Sequence, residues 1–507
     1  FMYTVEDPGG YPSTATVSVS VNAPIDINAV RTQILSGVGA TLPNPIQPGK
    51  LLPYGPTAFS LANENGQDST HSVLVASTMG AGRVVVMNDH QWLNMSSHGG
   101  DASMGAVYRN SIDWLGQQVS GSAGSKNIKV VTLNNQANAD WLTSQRYTNV
   151  VNSTWANLAA ELTNAEVFIA GWMGNNVSAA NLDIVSEYVK GGGGVFVADY
   201  GAGYIWWWNK PVAEAPANLL LEDAGVFLTS NIIWTGGPVA VQHATETLTG
   251  YDILNIINKS VTVDAVTETY ALETFALLLN SLPADNALRS ALSAAFAEHR
   301  FGDVQASPAN SISDDLSKAK LTAEASWLQG LRLEEIPAHP SAGDVYGGIP
   351  VDALRTRSQA FTIDVSVTGM IATGAYAVPG EIVTIEVPAS LVGQGYKFRI
   401  SGHNDNISGR GSWDRLPYGI AKAFDIDSTT MQIVNSFGGT IYLDIGGGAA
   451  GTAPTLGPVD LTMTDAIEAP TFVLGQMTDL QWQTERLKPG AYAELISERL
   501  AISVPSS

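Results

Sequence analysis

Beyond about Phe361 apolar residues recur at every second position, and this period limits the possible folds more than any other property of the sequence. Val383, Ile385 and Val387 alternate with Thr384 and Glu386; Tyr396, Phe398 and Ile400 with Lys397 and Arg399; Ile441, Leu443 and Ile445 with Thr440, Tyr442 and Asp444. Val459, Leu461 and Met463 obey the same rule, as do Leu500, Ile502 and Val504. Successive side chains of a strand point to opposite faces, so each run buries one face and wets the other. With Gly, Pro and Asn turns between the runs, residues 351–507 are expected to form an antiparallel β-sandwich.

Upstream the period changes. Between residues 24 and 248, Val73-Leu74-Val75-Ala76 and Val84-Val85-Val86-Met87 have strand length and flank the turn signal Met79-Gly80-Ala81-Gly82-Arg83. Tyr108, Ile112 and Leu115, broadened by Trp114, mark a helix face. After the linker-like Gly121-Ser122-Ala123-Gly124 come the strand Ile128–Leu133, a helix near Trp155–Leu162 behind Ser153 and Thr154, and the strand Glu166–Ala170. A helix near Ala179–Val189 behind Ser178 and the strand Val195–Ala198 follow. Such alternation implies a parallel sheet covered on both faces.

Residues 249–350 read as a helical segment and connector. Leu272, Phe275, Leu279 and Leu282 share a face, Pro283 breaks it, and Leu288, Leu292, Phe296 and His299 begin another. Ser311-Ile312-Ser313-Asp314-Asp315 has the composition of a helix start. In residues 1–23, Val17, Val19 and Val21 oppose Thr16, Ser18 and Ser20, the pattern of a strand in a terminal hairpin. The expected architecture is thus multidomain, α/β plus all-β, as 507 residues demand more than one core.

Charge and cysteine usage narrow the chemistry. With 47 acidic against 25 basic residues the net charge is -22, and no basic run tracks a phosphate backbone, so nucleic acid is not an expected partner. The same field repels anionic membranes and sialylated glycans, so a glycan contact has to be local and aromatic. The absence of cysteine excludes disulfides, thiolate metal sites and a Cys nucleophile. No apolar run approaches the roughly 20 residues that span a bilayer.

Two places in the α/β region invite a functional reading. Asp89-His90-Gln91-Trp92 follows a strand end, where open parallel sheets place ligands. Trp206-Trp207-Trp208, after Tyr200-Gly201-Ala202-Gly203-Tyr204, offers an aromatic platform for the C–H faces of sugars. The competing reading buries at least one of them, because three consecutive residues cannot share a face in a strand or a helix.

Elsewhere structural roles compete. Gly191–Gly194 ends a helix and turns into a strand, with no GxGxxG or GxxxxGK[ST] frame. No GxSxG elbow occurs, and His71, His90, His98 and His243 lack a triad partner at a recognisable spacing. His299 lies on an apolar helix face, the position of a satisfied core or rim histidine. His403 beside Asp405 resembles half of a metal site, too few ligands for structural zinc.

The strand–helix order and the phrase Gly192-Gly193-Gly194-Val195-Phe196-Val197-Ala198-Asp199 resemble the class I glutamine-amidotransferase-like fold. That resemblance implies a His-activated Cys nucleophile, so without cysteine residues 24–248 are expected to be inactive. Residues 1–23 resemble the end of an immunoglobulin- or cadherin-like module, with Phe1 a cut edge.

The most specific resemblance lies between Gly374 and Pro505. Thr373-Gly374-Ala375-Tyr376 with Pro379-Gly380-Glu381, Gly402-His403-Asn404-Asp405, Trp413-Asp414-Arg415, the run Asn435–Leu443, Ala469–Gly475 and Trp482…Arg486…Pro489–Leu495 occur in order. They resemble the all-β segment preceding the catalytic part of enhancin-type, mucin-targeting zinc metallopeptidases, the bacterial immunomodulating group among them. The pairing with an amidotransferase-like domain is also similar to the TRP-channel-associated factors.

The peptidase resemblance implies zinc held by HExxH, whose imidazoles at i and i+4 share a helix face while the Glu acts as base toward bound water. None of His71, His90, His98, His243, His299, His339 and His403 is followed by Glu, and no two are four apart. The expectation is therefore a non-catalytic N-terminal region, inactive alone, of a secreted, cell-surface or periplasmic peptidase acting on mucin-like O-glycoproteins. No cofactor is expected in this chain, with zinc in a catalytic part beyond Ser507. The expected partners are a glycan or glycoprotein and that downstream domain, and the candidate substrate contacts are Trp206, Trp207, Trp208, His403, Trp413 and Arg415. The alternatives are a free-standing glycan- or glycoprotein-binding adhesion protein and an independent hydrolase built on residues 24–248.

Overall fold

The computed structural model describes residues 2–6, 12–16, 25–45, 47–67, 71–118, 125–299, 304–343, 353–366, 368–403, 405–446, 456–497 and 500–506. Of the strand expected over Ser13–Asn22, residues 17–22 lie outside them, as does the linker Gly121–Gly124. The chain divides into two compact units, residues 1–253 and 254–507.

In the first unit β1 (Met2–Glu6) and β2 (Pro12–Thr16) form an antiparallel hairpin. Then follow α1 (Ile27–Ile34), β3 (Thr41–Leu42), β4 (Gly49–Pro53), β5 (Phe59–Glu64), β6 (Ser72–Met79), β7 (Gly82–Met87), α2 (Met95–His98), α3 (Ala102–Leu115) and β8 (Lys126–Leu133). Next come α4 (Gln136–Ser144), β9 (Tyr147–Ser153), α5 (Leu158–Leu162), β10 (Val167–Ala170), α6 (Ala179–Lys190), β11 (Gly194–Ala198), α7 (Gly201–Trp208), α8 (Pro216–Leu221), β12 (Val226–Ile232) and β13 (Val239–His243).

Strands β3 to β13 make one sheet of order β3-β13-β5-β6-β7-β11-β10-β8-β9, with β4 joining β6 to β12. The run β7-β11-β10-β8-β9 is parallel; the remaining pairings are antiparallel. The sheet is mixed, not parallel throughout as the strand–helix alternation suggested. Gly80 and Ala81 connect β6 to β7, with Gly80 at φ 60°, and so tight a connection forces antiparallel pairing. Strand β9 was not anticipated: its sequence is mostly polar because it is an edge strand. Since Ser153 ends β9, the helix expected from Trp155 is reduced to α5.

Side-chain alternation sorts the parallel strands onto two cores. Val85, Met87, Val130, Ile169 and Phe196 pack with α1, α3 and α4. Val84, Val86, Val131, Phe168 and Val195 pack with α5, α6 and α8. Each fully buried side chain of this size contributes roughly 1.5–3 kcal/mol relative to exposure. Ser178 caps α6 through the amide of Asn181, and Gly191 closes its other end by donating to Glu187 O. Gly192, at φ 115°, then reverses the chain into β11.

Helix α9 (Gly250–Ile257) crosses the division between units in sequence. The second unit contains α10 (Ala265–Ser281), α11 (Ala287–His299) and α12 (Asp315–Gly330). The apolar faces read from Phe275 and Phe296 meet as a stacked pair 4.7 Å apart, and Trp327 joins at 5.6 Å. Asp314 caps α12 by accepting from Ser317 N.

The strands that follow are β14 (Gln359–Asp364), β15 (Gly369–Ala377), β16 (Val383–Glu386), β17 (Lys397–Ile400), β18 (Lys422–Asp425), β19 (Thr430–Ile433) and β20 (Gly439–Ile445). Then come β21 (Pro458–Thr464), β22 (Ile467–Glu468), β23 (Thr471–Val473), β24 (Tyr492–Ile496) and β25 (Ala501–Pro505). They form sheets β14-β21-β16-β19, β18-β17-β20-β15-β22 and β23-β24-β25. The first two share one core: Phe361, Ile385, Ile433 and Leu461 come from one sheet, and Phe398, Ile400, Ile441 and Leu443 from the other. Strand β25 departs from the sequence pattern. It is the edge of the small sheet, and Ile502 and the preceding Leu500 are exposed.

Candidate functional site

Strands β7, β11 and β10 are adjacent and parallel, so their carboxyl ends open side by side. The residues beyond those ends are Asn88-Asp89-His90, Asp199-Tyr200 and Gly171-Trp172. This is where an open sheet leaves a crevice.

Asn88, fully buried, fixes the floor. Its Nδ2 donates to Lys50 O at 2.7 Å and Thr229 O at 2.8 Å, and its Oδ1 accepts from Gly201 N at 3.0 Å. That last bond seats the first turn of α7 against the sheet. Only glycine fits at 201, since a Cβ there would strike Thr229 O.

Two carboxyls lie beneath. Asp89 accepts from Gln91 N at 2.8 Å and from the Gln47 amide, and Asp199 accepts from Tyr200 N at 2.9 Å and from the Met173 amide. Burial pushes each up to about 7, and the charge of Asp89 adds to the effect on Asp199. His90 is pushed down to about 4 by burial, so it is neutral near pH 7. His90 Nδ1 lies 3.6 Å from Asp89 Oδ1, and neither it nor Asp199 Oδ2 has a hydrogen-bond partner among the described residues.

Above the carboxyls sits an aromatic cluster. Trp172 stacks on Trp207 at 5.4 Å and 30°, His90 lies 4.2 Å from Trp172, and Tyr200 lies 5.2 Å from Trp207. Trp206 meets Tyr200 edge-on at 6.1 Å, and Trp208 meets Tyr204 edge-on at 4.8 Å. Tyr200 OH donates to Gln47 Oε1 at 2.8 Å and Tyr204 OH to Gly174 O, so both phenols are anchored. Trp208 is the third tryptophan that cannot share the outer face: at i+4 from Tyr204 it folds back onto that ring. Trp172, Trp206 and Trp207 are 45%, 49% and 52% exposed. Three half-exposed indoles over anchored phenols leave apolar surface in solvent, the property of a contact site rather than a core. Because Asp89 and Asp199 are each only 2% exposed, a bound molecule meets indole before carboxyl.

The sequence pointed to Asp89, His90 and Trp206–Trp208 but missed Trp172, Asp199 and Tyr200 as members of the same cluster. No local pattern links Trp172 to the run at 206–208; it joins them because β10 lies beside β11 in the sheet.

The remaining candidates lie in the second unit. His403 lines a cavity of about 520 Å³. Trp413 is buried, exchanges backbone hydrogen bonds with Ile312, and donates from Nε1 to Arg410 O, while Lys318 Nζ lies 5.5 Å from its ring. Arg415 donates to Asp405 Oδ2 at 2.6 Å and to Leu416 O at 3.1 Å. Neither Trp413 nor Arg415 lines that cavity, and Asp405 is engaged by Arg415 and Arg410. Among the described residues no three His, Asp or Glu side chains are grouped to hold a metal, and no helix is long and apolar enough to cross a membrane.

Comparison with known proteins locates these units. The family described as the N-terminal domain of M60-like peptidases matches residues 354–455, and the family described as TRPM8, N-terminal domain, matches residues 11–243. TRPM8 channel-associated factor 1 of Bos taurus is 23% identical over 97% of this chain and 52% of its own length. The TRPM8 channel-associated factor homolog of Danio rerio is 24% identical over 90% of this chain and 48% of its own. The chain spans about half the length of the curated relatives it matches. Among solved structures, the IMPa metallopeptidase from Pseudomonas aeruginosa superposes with a TM-score of 0.51 at 14% identity, covering 94% of this chain and 57% of that one. The same enzyme in complex with T-antigen gives 0.50. The fold is thus multidomain, α/β plus β, and the M60-like match falls within the β region that contains the most specific resemblance.

Proposed function

We propose that this chain is the non-catalytic N-terminal region of a secreted zinc metallopeptidase acting on mucin-like O-glycoproteins, and that its first unit also recognises glycan. The carrying observation is the stacked, half-exposed Trp172–Trp207 pair, flanked by Trp206, at the carboxyl ends of β7, β10 and β11. The M60-like match and the likeness to IMPa, solved with T-antigen, support the peptidase context. A neutral sugar stacks its C–H face on indole without charge pairing, which suits a chain of net charge -22.

We read the first unit as amidotransferase-like and inactive, since it has no cysteine and no serine elbow. Zinc does not fit the residues of this chain: its seven histidines contain no HExxH, and the described residues offer no three-ligand cluster. In this reading the second unit braces the enzyme.

The test is binding of the T-antigen disaccharide and of desialylated mucin by the full chain. Trp172→Ala with Trp207→Ala is expected to weaken binding at least tenfold while the fold persists; absence of binding by the unsubstituted chain sinks glycan recognition. Reading the gene beyond codon 507 tests the peptidase context, and a frame lacking HExxH removes it. The alternative is a free-standing glycan- or glycoprotein-binding protein. It is favoured by relatives that align over 97% of this chain and are named for association with a channel.

A further inference from the structure

The second unit contains a buried carboxyl with no basic partner among the described residues, and it lines a cavity. Of the carboxyls buried among the described residues, Asp113 is paired with Lys126 at 2.5 Å, and Asp89 and Asp199 are held toward their neutral forms by burial. Glu494 on β24 is the fourth. It is 2% exposed and accepts from Tyr442 OH at 2.5 Å, and no Lys or Arg nitrogen of the described residues lies within ion-pair distance. Burial first, then the Glu494 charge, pushes the Tyr442 hydroxyl upward, so the phenol stays a donor at any physiological pH.

One phenol hydrogen bond does not offset the removal of a carboxylate from water. Buried charges are paired, or they meet a ligand. Glu494 and Tyr442 line the cavity of about 520 Å³ together with Ser401, His403, Tyr492 and Ser503. That volume lies within the range of small-molecule sites. Its wall offers one anion, hydroxyl groups and two tyrosine rings, a set that suits an organic cation: the carboxylate takes the charge, and a phenol face attracts it through the ring quadrupole.

We propose that this cavity binds a primary ammonium or guanidinium group on a short apolar stem, with Glu494 as its counter-ion and Tyr442 holding that carboxylate in place. The proposal is independent of glycan recognition in the first unit. The same chemistry is carried by a free amine and by a Lys or Arg side chain of a peptide.

Calorimetric titration of the full chain with Nα-acetyl-lysine methylamide, its Nε-acetylated form, a Lys-containing peptide and calcium chloride decides it. The lysine amide is expected to bind and the Nε-acetylated form not. Glu494→Gln is expected to weaken amine binding at least tenfold while retaining or raising thermal stability, because it removes an uncompensated buried charge. Tyr442→Phe keeps the charge and is expected to lower affinity severalfold, which covers the case in which Glu494→Gln does not fold. A peptide that binds tighter than the amide identifies a protein side chain as the source; equal affinities identify a free amine. Equal binding of the charged and acetylated forms, full binding by Glu494→Gln, binding of calcium alone, or no heat with any amine would each overturn the assignment.

Discussion

Replacing Asp199 by Asn is expected to stabilise the first unit in mild alkali and to leave it nearly unchanged in acid. Asp199 is 2% exposed, and burial, reinforced by the charge of Asp89, pushes it from 3.8 up to about 7. In the fold the carboxyl keeps its proton after the unfolded chain has lost it. The folded form then binds more protons between about pH 4 and pH 7, so stability is full below that window and declines as pH rises through it. About three units correspond to at most about 4 kcal/mol. Asp89 and Asp199 interact and titrate as a pair, which lowers the expected gain for Asp199→Asn to about 2–4 kcal/mol near pH 8. His90, pushed down to about 4 by burial, acts in the opposite sense between about pH 4 and 6.5. Both proteins contain it, so it cancels in the difference to the extent that Asp199 does not couple to it. Urea unfolding followed by tryptophan fluorescence measures that difference, and a gain of this size raises Tm by about 5–15 °C for a unit of some 250 residues. A pH-independent difference, or a gain confined to acid, refutes the reasoning.

Other substitutions probe the supports of the two units. Lys126→Met removes the basic partner of the buried Asp113, so a loss of about 3–5 kcal/mol is expected by denaturant unfolding, largely recovered by adding Asp113→Asn. Asn88→Ala deletes three side-chain hydrogen bonds, one of which seats α7, and a loss of about 2–3 kcal/mol is expected together with weaker glycan binding, measured on the same titration as the tryptophan variants. Phe398→Ala empties the core shared by two sheets and is expected to lower the stability of the second unit by about 3–5 kcal/mol in calorimetry, leaving the transition of the first unit in place.

How much of this was legible depended on whether the governing physics is local. The period-two runs from Val383 to Met463 became paired strands because alternation is a property of each strand alone. The faces of α10 and α11 met through Phe275 and Phe296 for the same reason. The same rule failed at Leu500 and Ile502, where alternation promised a buried face but β25 has a neighbour on one side only. Sheet direction was also beyond reach upstream of β7, because strand–helix alternation describes only the segments in which it occurs. The hairpin β6–β7 and the later return of β12 and β13 add antiparallel partners that no local pattern records.

The aromatic cluster marks the boundary between local and topological information. Trp206–Trp208 stood out because three indoles are adjacent in sequence, whereas Trp172 is isolated by more than thirty residues and reads as an ordinary hydrophobe. Placing it needs the strand order β7-β11-β10, which brings the carboxyl ends of strands distant in sequence side by side. Once that order is known, residues 88–90, 171–173 and 199–201, one to three positions past each strand end, form a set selected without reference to residue type, and Asp89, His90, Trp172, Asp199 and Tyr200 are among them. That this set contains two carboxyls pushed up to about 7, a neutral histidine and the indole stacked on Trp207 of α7 is what makes these strand ends a candidate site. An aromatic run elsewhere on the surface would carry less weight, since the carboxyl ends of adjacent parallel strands are where open sheets place ligands.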